Sequence, residues 1–395
     1  MSETADPLEV RIDLPPFSPR GVADSLGIPA LEEKITPQWE AALTARSSAV
    51  ILPILDPAQI RLRREAFGLS PACDAPLQAV AQLIRERPAL EAVAWYLHWR
   101  IFCSPEPGPL AEPPLDACLG DLTGAFFLLV ALEFKPALTV LHRRRGYSQE
   151  VTDESLSQVQ GYIENYRKGT GRIGCYGSQV CWLRTYFAFP YVRLGRFSYQ
   201  LKSYAGVVRA WRRRNGDMMA LAREGLRIDS EGLIARADEV ADWTTYLLEK
   251  DDSVTGNPVD PAGRILPGTV SLQRSEWSPF LMPGDSILSI HIPPGGGMDP
   301  DRVRESLQRA RIFFARHHPE QPIRVFWCAT WFLDPRLASL LPPTANPLRF
   351  QRCLYLHPIE SSRDGGLWFV FLRSTDDLAG LPRETSLQRA LAGFL

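Results

Sequence analysis

The chain has 395 residues, which is more than one ordinary folding core and predicts two domains. With 45% hydrophobic and 23% charged residues, its composition is that of a globular protein. The 44 basic and 45 acidic residues give a net charge of −1, which excludes the overall basic excess typical of nucleic-acid-binding proteins.

The cysteines and the apolar segments indicate the compartment. Seven cysteines without a C-x-x-C pair exclude the common zinc and thioredoxin-like motifs and favour a reducing environment. The acidic N-terminus has no apolar core and predicts no signal peptide. The longest apolar run, 125–132, is too short to span a bilayer. We therefore expect a cytoplasmic protein with no membrane partner and no metal; the sequence gives no indication of the oligomeric state.

The first part of the chain has the pattern of a helical domain. Apolar residues recur at helical spacing in several segments, and proline-rich connectors separate them. These segments are 56–67, 74–86, 88–102, 115–134, 136–145 and 153–168. Such a series is typical of a helical bundle or cap, so residues 1–168 are expected to form an all-α domain.

After Gly171 the pattern changes to that of strands. Aromatic and β-branched residues predict a strand at 180–189, and alternation predicts one at 191–199. Further strands are predicted at 243–248, 286–292, 323–329, 352–356 and 367–372, with helices beginning at 300 and 335. Residues 169–395 therefore predict a mixed sheet with flanking helices, and the whole chain has the fold class α+β.

A glycine loop joins the strand 286–292 to the following helix. The loop contains Gly295, Gly296 and Gly297, and the helix then starts with Asp299 as N-cap and Pro300 in its first position. A loop at a helix start can present backbone N–H groups to a phosphate. The loop matches neither G-x-x-x-x-G-K-[ST] nor G-x-G-x-x-G, so a purely structural turn is the alternative.

Several short motifs follow one another in the second part of the chain. They are R-L-G-R-F-S-Y-Q-L at 193–201, G-N-P-V-D-P at 256–261, H-I-P at 291–293, E-S-L at 305–307 and C-A-T-W-F-L-D-P at 328–335. In this order they resemble a bacterial acyltransferase family that joins a helical N-acyltransferase N-terminal domain to a GNAT-like C-terminal domain. The resemblance covers most of the chain.

This resemblance implies transfer of an acyl group from an acyl-CoA to a small-molecule amine. In the GNAT fold the fourth strand splays from the fifth, the gap holds the pantetheine arm of CoA, and the next loop binds its pyrophosphate. The corresponding strands here are 286–292 and 323–329. The implied cofactor-binding residues are Ile292, Gly295, Gly296, Gly297 and Met298. The loop lacks the Q/R-x-x-G-x-G/A pattern usual in GNAT enzymes, so their assignment rests on position.

Forming an amide from a thioester requires a base for the acceptor ammonium, donors for the oxyanion and a proton for the departing thiolate. His291 is the first candidate for the base, because its ordinary pKa of about 6.5 suits neutral pH and it lies beside the expected gap. Cys328 is a candidate to donate the proton that the departing thiolate takes up. The alternative is that Cys328 is a buried thiol of the core. Other candidates for acid, base or polar contact are Glu249, Asp251, Asp252, Thr330 and Tyr355.

Arg193, Arg196 and Tyr199 are candidates to line the acceptor site, where arginine favours an anionic group on the substrate. An exposed strand face is the alternative.

Two arginine runs, 143–145 and 212–214, precede glycines as helix C-termini often do. We therefore do not expect a nucleic-acid partner.

The first hypothesis is thus acyl transfer from acyl-CoA to an amine. The second is a GNAT-like protein that binds CoA or another small molecule as a sensor, without catalysis. The third is a nucleic-acid-associated module built on the two arginine runs.

Overall fold

The structure is a computed structural model that describes residues 17–46, 52–106, 108, 110–295, 297–360, 365–372 and 379–394. The chain divides into two compact units, Met1–Ala188 and Phe189–Leu395. The change in sequence pattern predicted this division earlier, after Lys168.

The first unit contains helices and, in its described residues, no strand. The helices are α1 (Pro19–Leu26), α2 (Leu31–Ile35), α3 (Trp39–Arg46), α4 (Pro57–Ala66), α5 (Asp74–Glu86), α6 (Pro88–Phe102), α7 (Asp116–Leu119), α8 (Thr123–Ala131), α9 (Phe134–Arg144), α10 (Gln149–Thr170), α11 (Gly177–Trp182) and α12 (Thr185–Ala188). Asp56 caps α4, and its side chain accepts a hydrogen bond from the N–H of Ala58 at 2.8 Å. Every segment predicted as helical between residues 56 and 168 contains a helix, but the segment 115–134 is divided between α7 and α8.

Helix α8 forms the centre of this unit. All of its residues are buried, and it packs against α5, α6, α10 and α11. The stretch Asp116–Arg144, which includes α7 to α9, is long and apolar enough to cross a membrane by length and composition alone. Because 67% of the most apolar 18-residue segment of this stretch is buried inside the protein, we interpret the stretch as the core of a helical bundle.

The segment 180–189 is helical, so its prediction as a strand was wrong. Val180, Leu183 and Tyr186 are buried and recur every third residue, which is helical spacing. Helix α11 packs on α8, and α12 packs on α9. Packing on the helical core therefore outweighs the β-prone composition, and it brings these residues into the first unit.

The second unit is built mainly of strands. Its strands are β1 (Tyr191–Leu194), β2 (Phe197–Ser203), β3 (Val208–Arg213), β4 (Met218–Ala222), β5 (Arg227–Ile228), β6 (Trp243–Thr244), β7 (Leu247–Glu249), β8 (Ser253–Gly256), β9 (Pro258–Asp260), β10 (Arg264–Ile265), β11 (Val270–Gln273), β12 (Trp277–Leu281), β13 (Ser286–His291) and β14 (Val325–Trp327). Its helices are α13 (Pro300–His317), α14 (Leu337–Leu340), α15 (Asn346–Gln351), α16 (Gly365–Phe371) and α17 (Ser386–Phe394).

The strands form a central sheet of order β1-β2-β13-β14 and a second sheet of order β10-β9-β4-β3-β12. Two smaller sheets have the orders β11-β8-β7 and β5-β6. In the central sheet β2 pairs antiparallel with β1 and β13, and β13 pairs parallel with β14. The mixed sheet confirms the predicted fold class. Helix α13 connects the parallel strands and contacts β1 and β2.

The segment 191–199, predicted as one strand, is a hairpin. Gly195 and Arg196 form the turn between β1 and β2. Gly195 has φ 64°, a left-handed value that suits the first central residue of a two-residue hairpin turn. The chain reversal places Arg193 opposite Ser198 and Val192 opposite Tyr199. Arg193 and Tyr199 therefore lie on opposite faces of the sheet, contrary to the alternation predicted for a single strand.

The two strands predicted near the C-terminus were also wrong. In the segment 352–356 the β-pairing is a single bridge between Ala262 and Leu356. The segment 367–372 lies mainly in α16, which packs against α17. Aromatic and β-branched residues form a strand where a sheet edge is available for pairing. The neighbour of the segment 367–372 is helix α17, so this segment has no described strand to pair with there.

Candidate functional site

The site predicted at the end of β13 lies where β13 and β14 separate. The parallel pairing ends at Ser289 and Trp327. Strand β13 continues through Ile290 and His291, which pair with β2 alone. Among the described strands, Ile290 has no strand neighbour on the side away from β2, so an extended ligand has room beside the backbone there.

His291 shares a face of the central sheet with several polar residues of neighbouring strands. Residues directly opposite each other share a face, and the register pairs His291 with Ser198 and Ser289 with Gln200. Ser198, Gln200 and Ser289 are buried. Nε2 of His291 lies 3.3 Å from Oε1 of Gln200. With this oxygen accepting the Nε2 proton, Nδ1 is the basic nitrogen of the ring.

The environment of His291 keeps its imidazole neutral. Burial, reinforced by the positive charge of Lys202, lowers the pKa of His291 to about 4. At pH 7 the ring is therefore an acceptor for a proton rather than a cation. This is the protonation state that a base for an attacking amine requires.

Ser198 is a second polar group of this face. Its side chain is 0% exposed, and its Oγ has no hydrogen-bond partner in the part of the chain that the structure describes. An unpaired buried hydroxyl costs about 1–3 kcal/mol, which a ligand can recover by bonding to it. Neither Ser198 nor Gln200 was predicted from the sequence as a site residue. The signal was the alternation of polar residues along β2, which becomes visible once the hairpin is recognised.

Arg196 holds the glycine loop at two points. Its Nη1 donates to the carbonyl oxygen of Pro293 at 2.9 Å, and its Nε donates to that of Gly297. Burial, followed by the charges of Arg193 and Arg302, lowers the pKa of Arg196 to about 10. It therefore remains a cation at neutral pH. The structure shows Arg196 as a clamp on the loop, and three guanidinium groups lie near one another beside it.

The clamp also orients the loop backbone. In a trans peptide the N–H points away from the carbonyl, so binding of the Gly297 oxygen by Arg196 turns the N–H of Met298 to the other side. Gly295 and Gly297 have φ values of 78° and 60°, which only glycine adopts without strain. The Met298 side chain is buried, and Ile292 is half-buried. Gly296 lies outside the described residues.

Asp299 caps α13 as predicted. Its Oδ1 accepts hydrogen bonds from the N–H groups of Asp301 and Arg302, both at 3.1 Å. Two of the free N–H groups of the helix start are thus already bound. A phosphate at this place therefore has to be held by the loop and the neighbouring arginines rather than by the first turn of the helix.

The structure does not bring Cys328 or Tyr199 to His291. Tyr199 lies on the α13 side of the sheet, where its hydroxyl donates to Oγ of Ser306 at 2.8 Å, and the thiol of Cys328 lies near it. Burial raises the pKa of Cys328 to about 12, so its thiol stays protonated. Of the three acceptor-site candidates, only Arg193 lies on the same face as His291.

The remaining candidates lie away from this face. Glu249 pairs with Arg274 at 2.9 Å in the three-stranded sheet, next to Asp251 and Asp252. The Tyr355 hydroxyl donates to the carbonyl oxygen of Val259 at 2.5 Å. The described residues contain no cluster of His, Cys, Asp and Glu able to hold a metal ion.

The helical first unit and the central sheet that opens beside a glycine loop are the arrangement expected of an acyltransferase with a GNAT-like catalytic domain, and the family matches show this class. Residues 58–188 match the N-acyltransferase N-terminal domain, and residues 191–395 match the GNAT-like C-terminal domain. The second match covers slightly more than half of the 395 residues, and the chain belongs to this family. The resemblance inferred from the short motifs is therefore confirmed.

Solved acyltransferase structures share this fold over nearly the whole chain. One, in complex with CoA and 10C-teicoplanin, has a TM-score of 0.60 and 23% identity, covering 95% of this chain and 94% of its own. Another, in complex with decanoyl-CoA and teicoplanin, has the same TM-score, identity and coverage. A third, a variant in complex with octanoyl-CoA, has 22% identity, a TM-score of 0.60 and the same coverage. None of the curated proteins compared by sequence matches the chain significantly.

Proposed function

We propose that the protein transfers an acyl group from an acyl-CoA to the amine of a small molecule, and that His291 is the base. The observation that carries this proposal is the separation of β13 from β14 directly beside His291, with the glycine loop following at once. A thioester held beside Ile290, on the side of β13 away from β2, would present its carbonyl carbon to the face that carries Ser198 and Gln200.

The reaction needs no covalent enzyme intermediate. The amine nitrogen attacks the thioester carbon while Nδ1 of His291 accepts a proton from it. The C–S bond of the tetrahedral intermediate then breaks, and the departing thiolate takes up the proton that Nδ1 of His291 accepted, so CoA leaves as a thiol and the ring is neutral again. Gln200 fixes the tautomer of the ring, and the Ser198 hydroxyl offers a hydrogen bond to the bound substrate. Cys328, protonated but on the other face of the sheet, is the weaker candidate for the proton donor.

The glycine loop is the proposed site for the pyrophosphate of CoA. The backbone at Ile292, Gly295, Gly296, Gly297 and Met298 follows directly after the free strand edge. The cations Arg193, Arg196 and Arg302 lie close enough together to influence one another, and this concentration of positive charge favours a phosphate group. In this proposal Arg196 acts on the phosphate through the loop it holds.

The solved relatives suggest donors and acceptors for a first screen. Their complexes with decanoyl-CoA and octanoyl-CoA make medium-chain acyl-CoAs the first donors to test. One of them is in complex with teicoplanin and another with 10C-teicoplanin, so teicoplanin is included among the first acceptors to test. All cysteines of the chain are free thiols, which supports the cytoplasmic location expected from the sequence.

The test measures CoA binding by calorimetry and thiol release with each donor and a panel of amines. Gly295→Glu is compared with Gly295→Ala, because both variants carry the same strain at φ 78° and a Cβ meets open space there. We expect the glutamate variant to lose CoA affinity by at least about tenfold relative to the alanine variant, through repulsion of the pyrophosphate. Equal affinities would remove the loop from the CoA site. Binding of CoA without thiol release from any donor–amine pair would support the sensor hypothesis instead.

A further inference from the structure

A cavity of about 350 Å³ opens on the same face of the central sheet as His291. It lies beside the C-terminal end of β2 and the N-terminal end of β13. This volume is at the small end of the range found for ligand pockets. Its floor is apolar and buried, formed by Tyr204 and Ile287 with Trp327 half-buried beside them. Its rim carries the exposed charges of Arg223 and Glu360.

Lys202 gives the cavity a net positive charge. Arg223 and Glu360 lie 3.8 Å apart, and both are more than half exposed, so their opposite charges largely cancel. Lys202 is half-buried, and within the described residues it forms no ion pair; its ammonium lies over the Trp327 ring, 4.8 Å from the centroid. Burial lowers the pKa of Lys202, and no acidic group among the described residues opposes this shift. A partly desolvated cation without a carboxylate partner favours an anionic ligand.

The position of Lys202 connects this cavity to the proposed catalytic site. Lys202 pairs with Ile287 and Ser198 pairs with His291 in one antiparallel register, so all four lie on one face. Four residues along a strand cover roughly 13 Å. The charge of Lys202 also reaches His291, because it contributes to lowering the pKa of that ring. A molecule that contacts both residues must therefore span at least this distance along the face.

We propose that the cavity binds the carboxylate of the amine acceptor, with an apolar part of that molecule against Trp327 and Tyr204. The acceptor class is thus an amine that carries a carboxylate at the far end of an apolar spacer. This assignment of an acceptor class rests on the proposed acyl transfer, whereas the binding of a carboxylate in the cavity does not.

The binding test uses hydrocinnamate and its neutral amide, hydrocinnamide, as calorimetric probes. The two share shape and differ in charge, so we expect the carboxylate to bind about tenfold more tightly or better. Lys202→Met should remove this difference, and Lys202→Arg should keep most of it. Lys250→Met is the matched control, since it removes an exposed lysine elsewhere in the same unit. Thermal unfolding verifies that each variant is folded. Equal affinities for the two probes, or an unchanged difference in Lys202→Met, would overturn the cavity as a carboxylate site.

The turnover test compares an ω-amino carboxylate with its neutral amide as acceptors. We expect the amide to have a KM about tenfold higher with a similar kcat, and Lys202→Met to equalise the two KM values. A probe difference in calorimetry without a KM difference would overturn the acceptor assignment and leave a site for a separate carboxylate. Probe binding without any thiol release would contradict the proposed acyl transfer but not the cavity.

Discussion

His291 is the residue on which the proposed chemistry depends most directly. Replacing it by glutamine keeps a polar side chain opposite Ser198 but removes the base. We expect thiol release in the presence of donor and acceptor to fall by about 10²–10⁴-fold, the usual contribution of general base catalysis, while CoA affinity stays within about twofold. His317→Gln at the end of α13 is the control and should retain activity. A loss of CoA affinity in parallel with the rate would instead indicate a structural role for His291.

The pH profile of the wild-type enzyme provides an independent check of the same residue. Because burial and Lys202 lower its pKa to about 4, His291 is already deprotonated at pH 6. The fall in kcat/KM between pH 8 and pH 5 should therefore follow the protonation of the acceptor amine and shift with the pKa of that amine. A step near pH 6.5 that is independent of the acceptor and absent from His291→Gln would show that the ring titrates normally.

At the scale of elements, Ser306 joins α13 to the β1–β2 hairpin. Its buried hydroxyl donates to the carbonyl oxygen of Leu194 at 2.5 Å and accepts from the N–H of Phe197 at 3.2 Å. Since its single proton is used on Leu194, the Tyr199 hydroxyl must donate to it. This three-way contact fixes the helix that follows the glycine loop to the strands that carry Arg196 and Ser198.

Ser306→Ala should therefore destabilise the protein by about 2–4 kcal/mol, because it leaves the buried donors of Phe197 and Tyr199 without an acceptor. Ser278→Ala, at an exposed serine of β12, should change the free energy of unfolding by less than about 0.5 kcal/mol. Urea unfolding measures both. Combining Ser306→Ala with Tyr199→Phe should cost less than the sum of the two, because the double variant leaves no tyrosine donor unpaired. Strict additivity would mean that the two hydroxyls are not coupled.

The elements that the sequence predicted well were those with their own local signals. Helices α5 and α6 have the predicted boundaries, since each has a helical apolar repeat bounded by polar or proline residues. Asp299 and Pro300 likewise marked the start of α13. The strand predictions for 180–189 and 367–372 were wrong, because they rested on β-prone composition. The spacing of the buried residues and the packing against neighbouring helices favour helix in these segments.

The site was less predictable than the fold, because it depends on which residues oppose each other across strands. The sequence alone indicated His291 and the glycine loop, whose local pattern is visible. It did not indicate that Ser198 and Gln200 flank His291, or that Tyr199 faces away from it, since both follow from the turn at Gly195. Register is a property of the paired sheet and is set by that turn and by the buried face.

At the scale of the whole molecule, buried histidines should make the protein sensitive to acid. Burial is the main cause that lowers the pKa of His98, His142 and His291 to about 4. In the unfolded chain each titrates near 6.5, so between about pH 6.5 and pH 4 the unfolded state binds more protons than the folded state. Their contribution to stability is therefore complete above pH 6.5 and is lost as the pH falls towards 4.

His142 allows this sensitivity to be measured away from the proposed site. It is fully buried, and its Nδ1 lies 3.0 Å from Oγ1 of Thr152, a contact that asparagine can keep. In His142→Asn the slope of unfolding free energy against pH, from urea titrations between pH 6.5 and pH 4.5, should decrease by up to about 1.4 kcal/mol per pH unit. Arg144→Gln changes an exposed charge on the same helix that does not titrate in this range, so its slope should equal that of the wild type. If His142→Asn also keeps the wild-type slope, His142 titrates alike in the folded and unfolded states, and the acid sensitivity has to come from other groups.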